Sequence, residues 1–345
     1  MNDTPHRLLI VRLTALGDVI HGVPVLNALR DRFAETHLAW VVEGRNAEVI
    51  EGHPAVDELI RAPRRWYKSP REIFALRRRL IAGRFDTTVD LQCLTKSATL
   101  AWLTGAKRRI GADGTDGREL SKWFNNQRTL VNAEHVIDHY LGILQPLGID
   151  KPAVRFDLPE SEADQVYAQR LLTEGGLTPR RFAVLNPGAG WPSKIWPAER
   201  YGELAQRLRD EHGLSSLAVW GGKEEQPLAD EIVATSHGAA KLAPPTSIPQ
   251  LGAVCRRAAL FVGSDTGPMH LSVAVGTPTL SLHGASQAAW CGAYGPLGAS
   301  LQAEYTEGSY GQRRRADNSA MRAIHVERVA QTCGELLSRP RAAAA

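Results

Sequence analysis

Short apolar runs alternate with longer amphipathic segments along most of the chain. Runs rich in Val, Ile and Leu predict strands, whereas apolar positions that recur every three or four residues predict helices. This alternation is typical of a mainly parallel sheet covered by helices on both faces. In the first half, strands are predicted at Leu8–Leu13, Leu38–Val42, Thr87–Leu91 and Arg109–Ala112, and helices at Asp18–Phe33, Ile73–Ala82 and Val136–Leu147.

The pattern restarts after a Pro-containing stretch near residues 148–159. A chain of 345 residues exceeds the usual size of one hydrophobic core, so two α/β domains are predicted, at residues 1–155 and 160–325. Residues 338–345 are expected to be disordered. In the second half, helices are predicted at Ser161–Glu174, Ala198–His212 and Val326–Leu337, and strands at Phe182–Asn186, Ser216–Trp220, Ala259–Gly263 and Pro278–Leu282.

Composition narrows the class of protein. The 41 basic and 37 acidic residues leave a net charge of +4, too small to indicate nucleic-acid binding. Nine Lys or Arg residues and one acid lie between Arg61 and Arg84, which predicts a local electropositive segment. The polar start of the chain and the absence of a long apolar run predict a cytoplasmic protein without a transmembrane helix. The widely spaced cysteines indicate neither a zinc site nor disulfides.

The first segment with candidate chemistry follows the first predicted strand. Gly17 allows a tight turn and Asp18 opens the next helix. Asp18 could simply complement the helix dipole. It could also be a catalytic carboxylate, because α/β sheets bind ligands beyond the carboxyl ends of their strands. His21, one turn later, is interpreted as a structural or substrate-contact residue rather than a metal ligand.

The second segment is the loop of residues 186–197, rich in Gly and Pro. Its small residues allow a ligand to approach the backbone, and Ser193 and Lys194 offer hydrogen-bond donors to a phosphate. The loop lacks both the G-x-G-x-x-G fingerprint and the P-loop pattern, which counts against a dinucleotide or nucleoside-triphosphate site. It could also be an ordinary connection between a strand and a helix.

The third segment, residues 261–270, reads as a strand, a turn and a helix start. The amides of Thr266, Gly267 and Met269 are expected to face a diphosphate at the positive end of the helix. Asp265 could accept hydrogen bonds from sugar hydroxyls or serve only as the helix cap.

Together these segments resemble glycosyltransferase family 9, the ADP-heptose:lipopolysaccharide heptosyltransferases, and within it the type I enzymes. Trp220-Gly221-Gly222 and the Asp265-Thr266-Gly267-Pro268-Met269-His270 segment also carry the resemblance. It implies an α/β protein with the GT-B fold, in which two Rossmann-like, doubly wound parallel-sheet domains face a central cleft. The first domain is expected to bind the acceptor and the second the nucleotide-sugar, with a final helix, 326–338, packing back on the first.

The resemblance also implies the reaction. Asp18 would act as general base for inverting transfer of a heptose from ADP-heptose to the Kdo region of the lipopolysaccharide inner core. No D-x-D motif occurs among these segments, so neither a metal nor another cofactor is expected. The implied donor-binding residues are Ser193, Lys194, Glu225 at the ribose, Thr246 at the adenine, Asp265, Thr266, Gly267, Met269 and His270. The implied acceptor-binding residues are Arg64, Arg65, Lys68, Lys96 and Arg118.

Two departures from the family pattern leave alternatives open. Ser286-Gln287-Ala288 replaces a more typical Thr-Asp/Glu-Pro, which could alter donor contacts, and residues 305–320 lack the family's cysteines, which is expected to change only a loop. The alternatives are a transferase for another nucleotide-sugar, a sugar-nucleotide epimerase or hydrolase, and a non-catalytic nucleotide-sugar binding protein. The expected partners are the donor and an anionic Kdo-lipid at the cytoplasmic face of the inner membrane. A monomer that binds no nucleic acid is expected.

Overall fold

A computed structural model describes residues 4–340. The chain divides into two compact units, Met1–Pro159 and Glu160–Ala345. Residues 341–345 of the predicted disordered tail lie outside the described part. None of the helices in residues 4–340 combines the length and the apolar character that crossing a bilayer requires.

The first unit is built on a parallel six-stranded sheet with the strand order β3-β2-β1-β4-β5-β6. The central strand β1 is almost wholly apolar because helices cover both faces of the sheet. The strands are β1 Arg7–Val11, β2 His37–Glu43, β3 Glu58–Ala62, β4 Thr87–Asp90, β5 Arg108–Ala112 and β6 Gln127–Thr129. The helices are α1 Leu16–Arg32, α2 Pro70–Ala82, α3 Thr95–Leu103, α4 Ser121–Phe124 and α5 Val136–Gly142.

The second unit repeats this design with the strand order β12-β11-β10-β7-β8-β9, again all parallel. Its strands are β7 Phe182–Asn186, β8 Ser215–Ala218, β9 Ala240–Leu242, β10 Leu260–Ser264, β11 Thr279–Leu282 and β12 Gly298–Leu301. Its helices are α6 Glu162–Glu174, α7 Ala198–His212, α8 Gln226–Thr235, α9 Ile248–Arg257, α10 Gly267–Ala274, α11 Ala288–Cys291, α12 Tyr310–Arg315, α13 Ser319–Arg322 and α14 Val326–Leu337.

Both sheets have the same topology, and it positions the candidate residues. The strand order reverses direction between β1 and β4 in the first unit and between β7 and β10 in the second. The loops that leave the carboxyl ends of these paired strands diverge, which opens a crevice where α/β proteins bind ligands. The two observed sheets confirm the predicted doubly wound parallel α/β class.

Helix α14 packs on the core of the second unit. Its buried residues Val326, Val329, Cys333 and Leu336 join the hydrophobic cluster formed by α7 and the sheet of the second unit. This apolar face recurs every three or four residues, as expected of a helix that covers a core. The helix therefore contributes to the core of the second unit, and its expected packing on the first domain stays a prediction.

The predicted helix Val136–Leu147 is also shorter than expected. Helix α5 ends at Gly142, and a separate 3-10 turn follows at Gln145–Leu147. Pro146 lies in that turn, and proline lacks the amide proton that a continuing α-helix needs.

Candidate active site

Asp18 lies beyond the carboxyl end of β1, in the first turn of α1. Its Oδ1 atom is 2.7 Å from the Arg12 guanidinium, and its Oδ2 atom accepts a hydrogen bond from the Ala15 amide at 2.8 Å. The Asp18 side chain remains 38% exposed, whereas that of Arg12 is only 7% exposed. The carboxylate is therefore oriented by two donors and is still accessible from solution.

Arg12 is held in place on several sides. Its guanidinium lies over the Tyr140 ring, 5.3 Å from the centroid, and donates a hydrogen bond to the Leu91 carbonyl at 3.2 Å. Burial alone would lower the pKa of Arg12, but the Asp18 charge and other neighbours raise that pKa above its ordinary value. A fixed positive charge therefore lies beside Asp18. Arg12 is not among the residues predicted from the sequence, although it directly follows β1.

The acceptor candidates lie on neighbouring loops of the first sheet. The Lys96 ammonium is 3.6 Å from Oε2 of the buried Glu43 carboxylate and 3.3 Å from the Thr14 hydroxyl. The Arg65 amide donates to Oε1 of the same carboxylate at 2.9 Å. Glu43, at the end of β2, thus connects the loops that follow β1, β3 and β4. Sequence reasoning had not selected this residue.

The other three acceptor candidates follow β3 and β5. Arg64 and Lys68 are exposed, and both lie in the loop before α2. The Arg118 amide donates to the Cys93 carbonyl at 3.2 Å, which connects the loop after β5 to the loop after β4. Basic side chains therefore follow three strands at the carboxyl edge of this sheet.

In the second unit, Asp265 forms the centre of a buried polar cluster. Its Oδ2 atom is 2.5 Å from the Lys194 ammonium, and its Oδ1 atom is 3.0 Å from Nε2 of His270. Burial alone would raise the pKa of Asp265, but the His270 hydrogen bond and the Lys194 charge hold it well below its usual range. Asp265 is therefore an anion that is already paired on both oxygens. The Lys194 ammonium also lies 4.5 Å from the centroid of the Trp191 ring, a contact that sequence reasoning missed.

Two of the predicted donor-binding groups already have partners within the protein. The Ser193 side chain is buried and donates its hydroxyl proton to the Arg313 carbonyl at 2.7 Å. The Met269 amide, expected to be available, donates to the Thr266 carbonyl at 3.1 Å inside the first helical turn. Thr266 is the N-cap of α10 and Gly267 is its first residue, so both lie at the helix start as predicted.

The remaining donor candidates lie in the loops after β8 and β9. Glu225 accepts a hydrogen bond from the Gly221 amide at 2.8 Å, and its carboxylate also lies against Gly188 in the loop after β7. A side chain at Gly188 would collide with that carboxylate, which explains the glycine. Thr246 is half-buried and lies between β9 and α9.

The two departures from the family pattern lie near the polar cluster around Asp265. Ser286 forms a hydrogen bond with His283, Oγ to Nδ1, at 3.3 Å. The segment 305–320 was expected to be only a loop, but it forms α12 and α13. Helix α12 reaches the Lys194 loop, because the Tyr310 ring packs edge-on against Trp191 with centroids 5.0 Å apart. That segment therefore shapes the donor side of the second unit.

One group of potential metal ligands occurs within residues 4–340. The ligand atoms of Asp265, His283 and Cys291 all lie within 4.8 Å of one another. A cation bound there would have to displace Lys194 or His270 from the Asp265 carboxylate. Burial and the Asp265 charge also raise the pKa of the Cys291 thiol above its ordinary value. The cluster is better suited to hydrogen bonding than to holding a metal.

Similarity to known proteins identifies the family of this chain. Residues 73–318 match glycosyltransferase family 9 (heptosyltransferase). Lipopolysaccharide heptosyltransferase 1 of Pseudomonas aeruginosa is 31% identical over 84% of this chain and 81% of its own length. The fold matches a family 9 glycosyltransferase from Veillonella parvula with a TM-score of 0.81, 24% identity and 98% of each chain covered.

A second solved structure carries a ligand. Heptosyltransferase WaaC of Escherichia coli with ADP-2-deoxy-2-fluoro heptose matches with a TM-score of 0.74 and 25% identity, over 95% of this chain and 99% of that one. These similarities confirm the predicted fold class and the resemblance on which it rested. The chain belongs to glycosyltransferase family 9 and is a heptosyltransferase.

Proposed function

We propose that this heptosyltransferase moves a heptose from ADP-heptose to the Kdo region of the lipopolysaccharide inner core. The transfer inverts the anomeric configuration and needs no metal ion. The donor is supported by the E. coli relative, which was solved with an ADP-heptose analogue. The acceptor is supported by the name of the P. aeruginosa relative and by the basic edge of the first sheet.

The observation that carries the proposal is the accessible, oriented carboxylate of Asp18. As general base it takes the proton from the acceptor hydroxyl while that oxygen attacks the anomeric carbon. Arg12 and the Ala15 amide hold both carboxylate oxygens, so little reorientation precedes the proton transfer. The nucleoside diphosphate leaves from the opposite face of the sugar, which inverts the configuration.

The cluster around Asp265 binds the donor. Its carboxylate accepts hydrogen bonds from sugar hydroxyls, and Lys194 neutralises charge on the leaving diphosphate. The start of α10 at Thr266 and Gly267 adds a positive dipole end on the same side. Glu225 binds the ribose, and Thr246 contacts the adenine. His270 holds the second oxygen of Asp265 and so fixes its orientation.

The acceptor is bound by Arg64, Arg65, Lys68, Lys96 and Arg118. Kdo is an acidic sugar, and the inner core that bears it is phosphorylated, so a ring of ammonium and guanidinium groups complements it. The loops that carry these residues leave the same edge of the sheet as the Asp18 loop. This arrangement favours a hydroxyl of the bound acceptor meeting the Asp18 carboxylate.

The test is a transfer assay with ADP-heptose and a Kdo-bearing acceptor, with the product's anomeric configuration read by NMR. The proposal expects one heptose per acceptor, linked with the configuration opposite to that of the donor. Retention of configuration would refute the single-displacement mechanism. Consumption of the donor without acceptor would instead indicate a hydrolase or epimerase. Binding of ADP-heptose without turnover on a panel of acceptors would indicate a binding protein.

A further inference from the structure

Large apolar side chains are exposed mainly on the first unit. Within residues 4–340, those exposed on the second unit are Val166, Leu242 and Tyr310. The corresponding residues of the first unit all fall between positions 67 and 130, and they are Tyr67, Phe74, Ile81, Trp102, Leu120, Trp123 and Leu130. A concentration of this kind on one surface indicates an interaction site rather than scattered exposure.

Most of these side chains stand on one layer of helices. Helix α2 packs against α3, and α3 packs against α4. Phe74 and Ile81 lie on α2, Trp102 on α3 and Trp123 on α4, and Trp123 is 84% exposed. We call Phe74, Ile81, Trp102, Leu120 and Trp123 the apolar patch. The rings of Trp102 and Phe124 lie 5.8 Å apart, which joins the α3 and α4 parts of the patch.

The exposed apolar side chains of α2 lie on a different face from those that pack on the sheet. Leu76 and Leu80 are buried against the sheet, so the helix already has an inner apolar face. Phe74 and Ile81 are 69% and 43% exposed and are seven residues apart, which places them on one outer face of the helix. Arg77 and Arg78 are exposed between them. The outer face therefore combines apolar groups with guanidinium groups, as in helices that lie on membrane surfaces.

The net charge of the segment that carries the patch is positive. Residues 61–130 contain sixteen Lys or Arg residues and six Asp or Glu residues, one of which, Asp90, is fully buried. The other positions of the chain contain twenty-five basic and thirty-one acidic residues, so the positive charge is local. Within the described part of the chain, no carboxylate forms an ion pair with Arg77 or Arg78.

We infer that the apolar patch and its basic surround dock the enzyme on the surface of an anionic lipid bilayer. Exposed Trp and Phe side chains insert at the level of the lipid headgroups, while Arg and Lys pair with the phosphates. A second copy of this chain fits the surface less well. A two-fold interface would place the basic surround of one copy against that of the other, and like charges repel.

The inference rests on the proposed function in one respect, the lipid carrier of the acceptor. Helices α2, α3 and α4 begin at the carboxyl edge of the sheet, where the acceptor candidates lie. Arg64, Arg65 and Lys68 immediately precede α2, and Arg118 precedes α4. Docking through the outer faces of these helices would keep the acceptor loops close to the bilayer surface.

The test measures binding of the full chain to vesicles of phosphatidylcholine with and without phosphatidylglycerol. No lipopolysaccharide precursor is present, so acceptor recognition contributes nothing. The expected result is strong binding only to the anionic vesicles, and binding about tenfold weaker for the Phe74→Ser/Trp123→Ser variant. The matched control, Val166→Ser/Leu242→Ser, removes two exposed apolar groups from the second unit and should bind like the wild type.

A second pair of variants tests the charge. Arg77→Gln/Arg78→Gln should weaken binding to anionic vesicles by about tenfold, whereas Arg170→Gln/Arg181→Gln, which removes two exposed arginines from the second unit, should leave it unchanged. All variants should keep the wild-type melting temperature and ADP affinity.

Three outcomes would overturn the inference. These are patch variants that bind like the wild type, equal binding to neutral vesicles, and light scattering that shows a dimer dissociated by Phe74→Ser/Trp123→Ser. If the wild type does not bind ADP, the proposed function is contradicted, whereas the vesicle result still stands.

Discussion

Each unit pairs a carboxylate with a cation at the point where its strand order reverses, but the two carboxylates differ in exposure. In the first unit, Asp18 follows the central strand β1 and its side chain is 38% exposed, while its partner Arg12 is 7% exposed. In the second unit, Asp265 follows β10 and its side chain is 10% exposed, beside Lys194 at 14%. The first pair presents its carboxylate to solution, and the second withdraws it.

This difference separates two roles for chemically identical side chains. A general base needs an accessible oxygen that can accept a proton. The Asp18 carboxylate meets that need. The Asp265 carboxylate is paired on both oxygens by Lys194 and His270, and its pKa is held well below the usual range, so it is suited to orienting a ligand. The difference supports the proposal that Asp18 accepts the proton and that Asp265 binds the donor.

The largest effect is expected for Asp18→Asn. Asparagine keeps the size and one oxygen but cannot accept the proton, so kcat should fall by about 10²–10⁴-fold with little change in donor affinity. The control is Asp31→Asn, which neutralises an exposed carboxylate near the other end of α1 and should leave kcat unchanged. If Asp18 only complemented the helix dipole, the variant would lose about 0.3–1 kcal/mol of stability and keep its turnover.

A smaller effect, on binding, is expected in the second unit. Asp265→Ala and Lys194→Ala should each weaken donor binding by about 1.5–3 kcal/mol, the usual contribution of a charge-assisted hydrogen bond. Isothermal titration with ADP-heptose measures the change. The comparison between the units breaks down if both variants bind the donor as tightly as the wild type does.

The acceptor loop should show a weaker, salt-dependent effect. Arg64→Ala/Arg65→Ala should raise KM for a water-soluble acceptor by about tenfold and make that KM less sensitive to salt, because exposed ion pairs contribute up to about 1 kcal/mol each. KM for the donor should not change. Arg77→Ala/Arg78→Ala, from the same basic segment, is the control. A joint rise of both KM values in the Arg64→Ala/Arg65→Ala variant would mean that the loop is structural.

A metal chelator should not change the transfer activity. The Asp265 oxygens are occupied by Lys194 and His270, and the Lys194 ammonium supplies positive charge that a metal would otherwise provide. Activity measured with excess chelator should therefore equal activity without it. A rate that collapses with chelator and recovers with Mg²⁺ or Mn²⁺ would refute metal independence and point to the Asp265, His283 and Cys291 group.

The central strands and their motifs could be predicted from the sequence, whereas the edge strands could not. β1, β7 and β10 are apolar runs that end in small or polar turn residues, and this pattern predicts a buried parallel strand. β6, with the sequence Gln-Arg-Thr, and β9, with Ala-Lys-Leu, have three residues each and are largely exposed, so no hydrophobic pattern marks them.

Part of the candidate site could be predicted because its residues follow strands. Asp18, Lys194 and Asp265 were selected for that reason. The pairing of Lys194 with Asp265 could not be predicted, because the two residues are 71 positions apart and no local pattern links them. The hydrogen bond of Ser193 could not be predicted either, since the Arg313 carbonyl that accepts it lies 120 positions away.

The most direct test of the central claim is the pH dependence of kcat for the wild type and for Asp18→Asn. If the Asp18 carboxylate accepts the proton, the wild-type rate falls in acid as the carboxylate becomes protonated. The residual rate of the variant, which has no carboxylate there, should then lack that acid limb. A variant that keeps both a near-normal kcat and the same acid limb would show that another group accepts the proton, and the assignment of Asp18 would be wrong.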